Sequence, residues 1–344
     1  MKDTVAMVPT FRKDQRMEPR RSVHNNADIN MSLILRLAAL TTLLSLATPL
    51  SAGEFPPDLP LWGDGSPEHP IRLELEEQVR SHKAQPGSLT GQNRAFSSVS
   101  SPTYSIHRPE KPNGVGLVIC PGGGFRDIWI DREGHDLAIW LKDHGVTSLV
   151  LKYRTRPTEL TSREMWQDYQ SAVQADGRQA IRILREQAKD LALDPHTIGI
   201  CGFSAGGHLA ISCTLHGEPK TVERKVSGMP DFTGLFYPGI PEGALEAITT
   251  RSAPQSQIRP IGPMFIVNAR VDNLTPADEC VDFYAVLLKA GVNAELHVFS
   301  KGGHGFGLGD GRGESTALWP TSFAAWLHDC SMMDNKAPQR MTQE

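Results

Sequence analysis

Ile198-Gly199-Ile200-Cys201-Gly202-Phe203-Ser204-Ala205-Gly206-Gly207-His208-Leu209 is the stretch that decides how this chain folds. Its first four residues are a short apolar run of the kind that forms a buried strand, and Ala205–Leu215 has the composition of a helix. Between them lies G-x-S-x-G, with Ser204 at its centre. A strand that turns into a helix over so few residues has no room for bulky neighbours, so glycine is needed two positions either side of the serine. The turn then pushes the hydroxyl out at the carboxyl end of the sheet. The alternative is a plain glycine-rich turn with a solvated serine; the strand and helix on either side favour a nucleophile.

The same alternation extends in both directions. Upstream, Val115–Ile119 and Ser148–Leu151 read as strands, with helical spacing over Glu133–Asp143 and Arg163–Lys189. Downstream, Phe232–Phe236, Met264–Asn268 and Ala294–Phe299 read as strands, with helices at Pro276–Ala290 and Thr316–His328. Short apolar strands interleaved with amphipathic helices predict an α/β fold: a mostly parallel, doubly wound sheet with helices on both faces. One such domain accounts for residues 101–332. Residues 53–100 are rich in proline, glycine and serine and read as an extended lead-in. The lead-in and the start of the domain hold one or two edge strands, around Ile71–Val79 and Tyr104–His107. Residues 333–344 form a tail, and no internal repeat is present.

Composition excludes several classes. Thirty-five basic residues against 39 acidic give a net charge of −4, which argues against a broad electrostatic grip on nucleic acid or anionic membrane. Five cysteines in 344 residues are too few for a disulfide scaffold, and no C-x-x-C pair or histidine cluster points to zinc. Cys120 and Cys201 close apolar strands and read as small core residues. Cys213, Cys280 and Cys330 could include one disulfide, with no pairing fixed by the sequence.

A serine nucleophile needs a base and a group to orient that base. Asp272 lies just beyond the strand Met264–Asn268, and His304 lies just beyond Ala294–Phe299 in Gly302-Gly303-His304-Gly305-Phe306-Gly307. Both fall in strand-terminal loops at the end of the sheet that presents Ser204. His297 is the rival base but sits inside a strand. Asp278, Glu279 and Asp282 are rival acids but fall on the following helix, on what reads as a solvated face. The oxyanion formed on attack needs backbone donors already in place. Gly123 and Gly124, in Pro121-Gly122-Gly123-Gly124-Phe125, and the amide of Ala205 are the candidates. A phosphate-binding reading of that loop fails, because no G-K-[ST] and no G-x-G-x-x-G with a downstream acid is present. His208 reads as facing the sheet or a neighbouring loop. Trp129 and Trp166 either line the cleft or pack a helix.

Taken in order, Pro121-Gly-Gly-Gly-Phe125, Glu133-Gly134, Leu151-Lys-Tyr-Arg154, Gly202-Phe-Ser-Ala-Gly-Gly-His-Leu-Ala210 and Gly302-Gly-His-Gly-Phe-Gly307 resemble bacterial α/β-hydrolase serine esterases. The similarity is to the secreted acetyl xylan esterase-like and carboxylesterase-like group, and covers about residues 100–330. It implies the α/β-hydrolase fold, Ser204, Asp272 and His304 as a triad, Gly123, Gly124 and Ala205 at the oxyanion hole, and no metal or organic cofactor. Such enzymes usually carry a second acid just before the catalytic one and valines after it. Here Val271 precedes Asp272, and Leu274 and Thr275 follow. The expected function is hydrolysis of small acyl esters, acetyl foremost, on polysaccharide or oligosaccharide. The expected partner is a small ester or acetylated carbohydrate, with no nucleic acid. Three alternatives share parts of the pattern: a prolyl oligopeptidase-like peptidase, a lipid-directed carboxylesterase, and a non-catalytic binding protein on the same fold. No long apolar insertion reads as a lipase-type lid. The largest irregular stretches, 216–230 and 239–261, carry Lys220, Glu223, Arg224, Lys225, Arg251 and Arg259, which fit a hydrated leaving group.

Leu37–Ala47 is an uncharged apolar run too short to span a bilayer. With Met31 and Arg36 before it and Leu50-Ser51-Ala52 after it, it reads as a secretory signal peptide over Met31–Ala52. The reading places the true start at Met31, with residues 1–30 an upstream extension. The expected location is secreted or periplasmic, with no membrane attachment after cleavage.

Overall fold

The computed structural model describes residues 55–63, 76–157, 160, 162–218, 226–252 and 260–330. The expected signal peptide and carboxyl-terminal tail lie outside the described residues. In chain order the strands begin with Leu59–Pro60 (β1), Gln78–Ser81 (β2), Arg94–Ser97 (β3), Thr103–His107 (β4), Gly114–Cys120 (β5) and Asp127–Ile128 (β6). A π-helical turn, Asp131–His135, leads into helix Asp136–Lys142 (α1) and strand Thr147–Lys152 (β7). Helices Arg163–Glu186 (α2) and Ala188–Leu191 (α3) precede strand Leu193–Phe203 (β8) and helix Ala205–Leu215 (α4). The remainder runs Thr233–Phe236 (β9), Ala244–Arg251 (α5), Met264–Ala269 (β10), Ala277–Lys289 (α6), Ala294–Phe299 (β11) and Trp319–Asp329 (α7).

The main sheet has the order β1-β4-β7-β5-β8-β9-β10-β11, parallel from β7 through β11 and antiparallel at β1–β4–β7. Every residue of β5, β7, β9 and β10 is buried, as strands covered on both faces must be. The two coverings can be read from β8. A Cβ on Gly177 of α2 would lie 3.7 Å from Ile200 Cδ1, whereas Phe203 meets Trp319 of α7 edge-on at 6.1 Å. Residues 200 and 203 point to opposite faces of a strand, so α2 and α7 cover opposite sides. This is the α/β-hydrolase architecture.

Local chemistry sets the helix boundaries. Ser162 caps α2 by accepting from the Met165 amide at 3.1 Å, and a proline stands in the first turn of α7. The long helix expected over Arg163–Lys189 breaks at Gln187, and the chain then leaves α3 through Ala192 at φ 55°. Three further differences concern the connections. β2, β3 and β6 form a separate antiparallel sheet, whereas the reading had only one or two edge strands there. The stretch 239–261, read as irregular, contains α5. The start of the Glu133–Asp143 helix is π-helical, with His135 N–H donating to Ile130 C=O at 2.9 Å.

A buried ion pair fastens the end of β7 to α2. Arg154 Nε donates to Asp176 Oδ2 at 2.7 Å, and Trp62 Nε1 donates to Oδ1 of the same carboxylate at 2.8 Å. Leu151–Arg154 therefore matters for how the lead-in and the sheet are joined. Among the described residues no helix is long and apolar enough to cross a membrane. All five cysteines are unpaired, so the disulfide left open above does not form among them.

Candidate active site

The turn at Ser204 is as tight as the sequence demands. Ser204 holds φ 51° and ψ −116°, a backbone conformation that a residue with a side chain rarely adopts. Its amide donates to Phe236 C=O at 3.0 Å, and its carbonyl accepts from the His208 and Gly239 amides at 3.0 and 3.1 Å. The flanking glycines are sterically required. A Cβ on Gly202 would lie 2.1 Å from Gly206 O, and one on Gly206 would lie 1.9 Å from Cys120 O.

The structure brings Ser204, His304 and Asp272 into one hydrogen-bonded line. His304 Nε2 is 2.9 Å from Ser204 Oγ, and its Nδ1 is 2.8 Å from Asp272 Oδ2. Asp272 also accepts from the Leu274 and Thr275 amides at 2.9 and 3.0 Å and from Thr275 Oγ1 at 3.0 Å. Burial alone would raise its pKa. The bond from His304 and the two backbone donors outweigh burial and hold the carboxyl below its ordinary value. An ionised Asp272 keeps the proton on Nδ1, which leaves Nε2 free to accept from the serine hydroxyl. The rivals are elsewhere. His297 lies on β11 with its Nε2 2.6 Å from Glu295 Oε1, and Asp278, Glu279 and Asp282 are exposed on α6.

The glycine loop lies against Ser204: a Cβ on Gly122 would sit 2.9 Å from Ser204 Cβ. Gly122 N–H is engaged by Glu133 Oε2 at 2.8 Å, whereas among the described residues none accepts from the amides of Gly123, Gly124 or Ala205. Gly123 (φ 137°) needs its missing side chain, since a Cβ there would lie 2.0 Å from Asp127 O. Gly124 (φ 62°) faces open space. The loop is pinned at both ends: Tyr153 Oη donates to Pro121 O at 2.6 Å, and Arg156 N–H donates to Phe125 O at 2.7 Å.

Phe125 packs edge-on against Tyr153, Trp166, Tyr169 and His208. Trp166 thus belongs to an aromatic cluster behind the loop, and His208 faces that neighbouring loop. Burial, helped by His216, pushes His208 down to about 4, so it is neutral at ordinary pH. Trp129 lies under the Arg132 guanidinium, 3.9 Å from its ring centroid. Arg251, read as part of a polar loop, is instead buried at the end of α5, where it donates to Thr214 O. Lys220, Glu223, Arg224, Lys225 and Arg259 lie outside the described residues. Among the described residues no group of three metal-ligating side chains is gathered in one place.

Two residues of the site had no role in the sequence reading. Glu133 was visible only as part of the Glu133-Gly134 motif, and Tyr237 not at all. Tyr237 directly follows β9, at the carboxyl edge where Ser204, Asp272 and His304 also emerge. That placement was the available signal.

Comparison with known proteins finds relatives among esterases and related hydrolases. The BD-FAE family model matches residues 160–234. The acetylxylan esterase of Xylanibacter ruminicola is 30% identical over 224 residues, covering 58% of this chain and 43% of the relative. The chain therefore spans less than half the length of that relative. Among solved structures, the acetyl ester-xyloside bifunctional hydrolase of Caldicellulosiruptor lactoaceticus superposes with a TM-score of 0.58 at 26% identity. That superposition covers 81% of this chain and 99% of the other. The propionate-bound esterase Est2 of Thermogutta terrifontis gives a TM-score of 0.53 at 22% identity, covering 73% and 97%, and so speaks to the fold. In fold this chain is an α/β hydrolase, and in sequence it is acetylxylan esterase-like.

Proposed function

We propose that this α/β-hydrolase chain is an exported serine esterase that removes small acyl groups, acetyl foremost, from acetylated polysaccharide or oligosaccharide. The observation that carries the reading is the line Ser204–His304–Asp272 beside a glycine loop with unengaged amides. Ser204 Oγ attacks the ester carbonyl carbon while His304 Nε2 takes its proton. The carbonyl oxygen becomes an oxyanion held by the amides of Gly123, Gly124 and Ala205. Ala205 is the first residue of α4, so the helix dipole adds to that stabilisation. On collapse the carbon–oxygen bond to the sugar breaks and His304 returns its proton to the leaving hydroxyl. Water, deprotonated by His304, then attacks the acyl-serine and releases acetate, and the proton goes back to Ser204. Asp272 keeps the imidazole in the correct tautomer and offsets its transient charge.

The substrate class draws on the acetylxylan esterase and the acetyl ester-xyloside hydrolase that this chain resembles. Export draws on the apolar run Leu37–Ala47 and the small residues at 51–52. A lipid-directed carboxylesterase is the second reading. It is favoured by Val271 and Leu274, which are 48% and 70% exposed on the loop that carries Asp272. A panel of p-nitrophenyl esters of increasing chain length, run beside peptide amides, separates the readings. Each methylene buried in a matching pocket contributes about 0.8 kcal/mol, so a lipid-directed enzyme gains steadily with chain length. The proposal expects kcat/KM to be highest for acetyl and to fall beyond butyryl. A preference for octanoyl or longer esters would favour the lipid reading, and efficient amide cleavage would favour a peptidase.

A further inference from the structure

Glu133 is a carboxylate buried to 2% exposure, and both its oxygens are engaged. Oε2 accepts the Gly122 amide at 2.8 Å, and Oε1 accepts the Tyr237 hydroxyl at 3.0 Å. The Tyr237 oxygen in turn accepts the Gly307 amide at 3.2 Å, three residues beyond His304. Tyr237 also stacks edge-on against the His304 ring at 5.1 Å, and its carbonyl oxygen lies 3.1 Å from Thr275 Oγ1, whose one proton it shares with Asp272. One carboxylate therefore joins the glycine loop to the base loop, through a tyrosine that also touches the acid loop.

We infer that Glu133 is a positioning residue of the site. Working through Tyr237, it fixes the distance between the amides that receive the oxyanion and the imidazole that moves the proton. The inference rests on the serine-esterase reading above.

Several features hold this carboxylate in place. Glu133 lies in the π-helical turn, a costly local geometry that recurs at functional sites. Gly134 lets that turn pack against the sheet, since a Cβ there would lie 2.7 Å from Val150 Cγ1. Arg132 Nε stands 3.5 Å from Oε1 and compensates part of the buried charge. Burial, and then the neighbouring Glu133, raise the Tyr237 phenol well above its ordinary value, so it stays a donor. Gly122 cannot itself serve the oxyanion, because its N–H is already directed at Glu133. What it supplies is the anchor from which Gly123 and Gly124 project. A charge-assisted bond at that anchor is stronger and shorter than a neutral one, which suits a loop whose amides must not drift.

The test uses the full chain carrying Glu133→Gln, Tyr237→Phe or both, with kcat and KM measured on p-nitrophenyl acetate. Inhibition by phenylboronic acid is measured alongside, because its tetrahedral adduct on serine mimics the oxyanion. Glu133→Gln should lower kcat on the order of 10- to 100-fold, less than deletion of a whole oxyanion donor, with KM within about threefold. Phenylboronate affinity should fall in parallel with kcat/KM, as loss of transition-state complementarity requires. The double variant should be little worse than Glu133→Gln alone. A merely structural role would lower the melting temperature while leaving kcat of the folded enzyme within about twofold of the parent, and that result overturns the inference. If Glu133→Gln does not fold, Tyr237→Phe decides alone, since it cuts the link to Gly307 and keeps the Gly122 bond. Unchanged kcat in that variant is equally fatal. Loss of activity in Ser204→Ala with none in the Glu133 and Tyr237 variants overturns only this inference. Activity that survives Ser204→Ala overturns the esterase reading and this inference with it.

Discussion

Gly206 packs so closely on Cys120 that a Cβ built on it would lie 1.9 Å from the Cys120 carbonyl oxygen. The contact joins the first turn of α4 to the end of β5, the strand that delivers the glycine loop. Ser204 and the proposed oxyanion donors are thus held together by backbone against backbone. Gly206→Ala should destabilise the protein by more than about 2 kcal/mol, because neither partner is a side chain that can move aside. Gly63→Ala, where a Cβ meets nothing within 4 Å, is the control and should leave the melting temperature unchanged. Equal melting temperatures for the two variants would contradict this account of the elbow.

Asp272 is held ionised by His304 and by two backbone amides against the opposing effect of burial. Replacing it with asparagine keeps the shape but lets the imidazole adopt the wrong tautomer, and should lower kcat on the order of 10⁴-fold. Asp278→Asn, on the exposed face of α6, should leave turnover unchanged. The reverse pattern would reassign the acid.

His107 and His135 make a buried pair, with Nε2 of one 2.9 Å from Nδ1 of the other. One ring must donate and the other accept, so the contact needs a neutral ring. Burial, and then Lys142, push His107 down to about 4; burial, His107 and Arg94 push His135 well below its ordinary value. Both folded pKa values lie below the unfolded value of about 6.5, so the unfolded chain binds more protons between those limits. Their stabilising contribution is therefore complete above about pH 6.5 and is lost as the pH falls toward 4. The melting temperature should drop over that window, and His107→Gln should flatten the drop. An unchanged profile in His107→Gln would refute the assignment.

Arg154 and Asp176 are both buried, and the Trp62 indole donates to the same carboxylate. Asp176→Asn removes the charge that faces the buried Arg154 guanidinium and should cost about 3 kcal/mol or more, measured by urea unfolding. A loss below about 1 kcal/mol would show that the pair is better solvated than its burial implies.

The parts of this site that were legible in the sequence are those whose chemistry is local. G-x-S-x-G carries its own steric reason, Asp272 follows the apolar run Met264–Ala269, and His304 follows the alternating strand Ala294–Phe299. The π-helical turn was not legible, because Asp131–His135 is Asp-Arg-Glu-Gly-His, with no apolar residue whose spacing could distinguish a π turn from an ordinary helix start. Nor was β6, whose two residues pair only because β3 passes beside them. The Glu133–Tyr237 link joins residues 104 positions apart, and Gly307 lies a further 70 along. No periodicity encodes such a bond; the placing of β5 and β9 on either side of β8 brings its ends together. Arg251 shows the converse: it stands in a stretch that reads as a polar loop, yet it ends a helix that turns it inward to a carbonyl.

The most direct measurement of the central claim is acetate release from acetylated xylan, with the parent chain and Ser204→Ala assayed side by side. The account predicts steady release by the parent and a loss on the order of 10⁴-fold or more in Ser204→Ala, with the variant still folded. No release by a folded parent chain, or release that Ser204→Ala leaves intact, would contradict it.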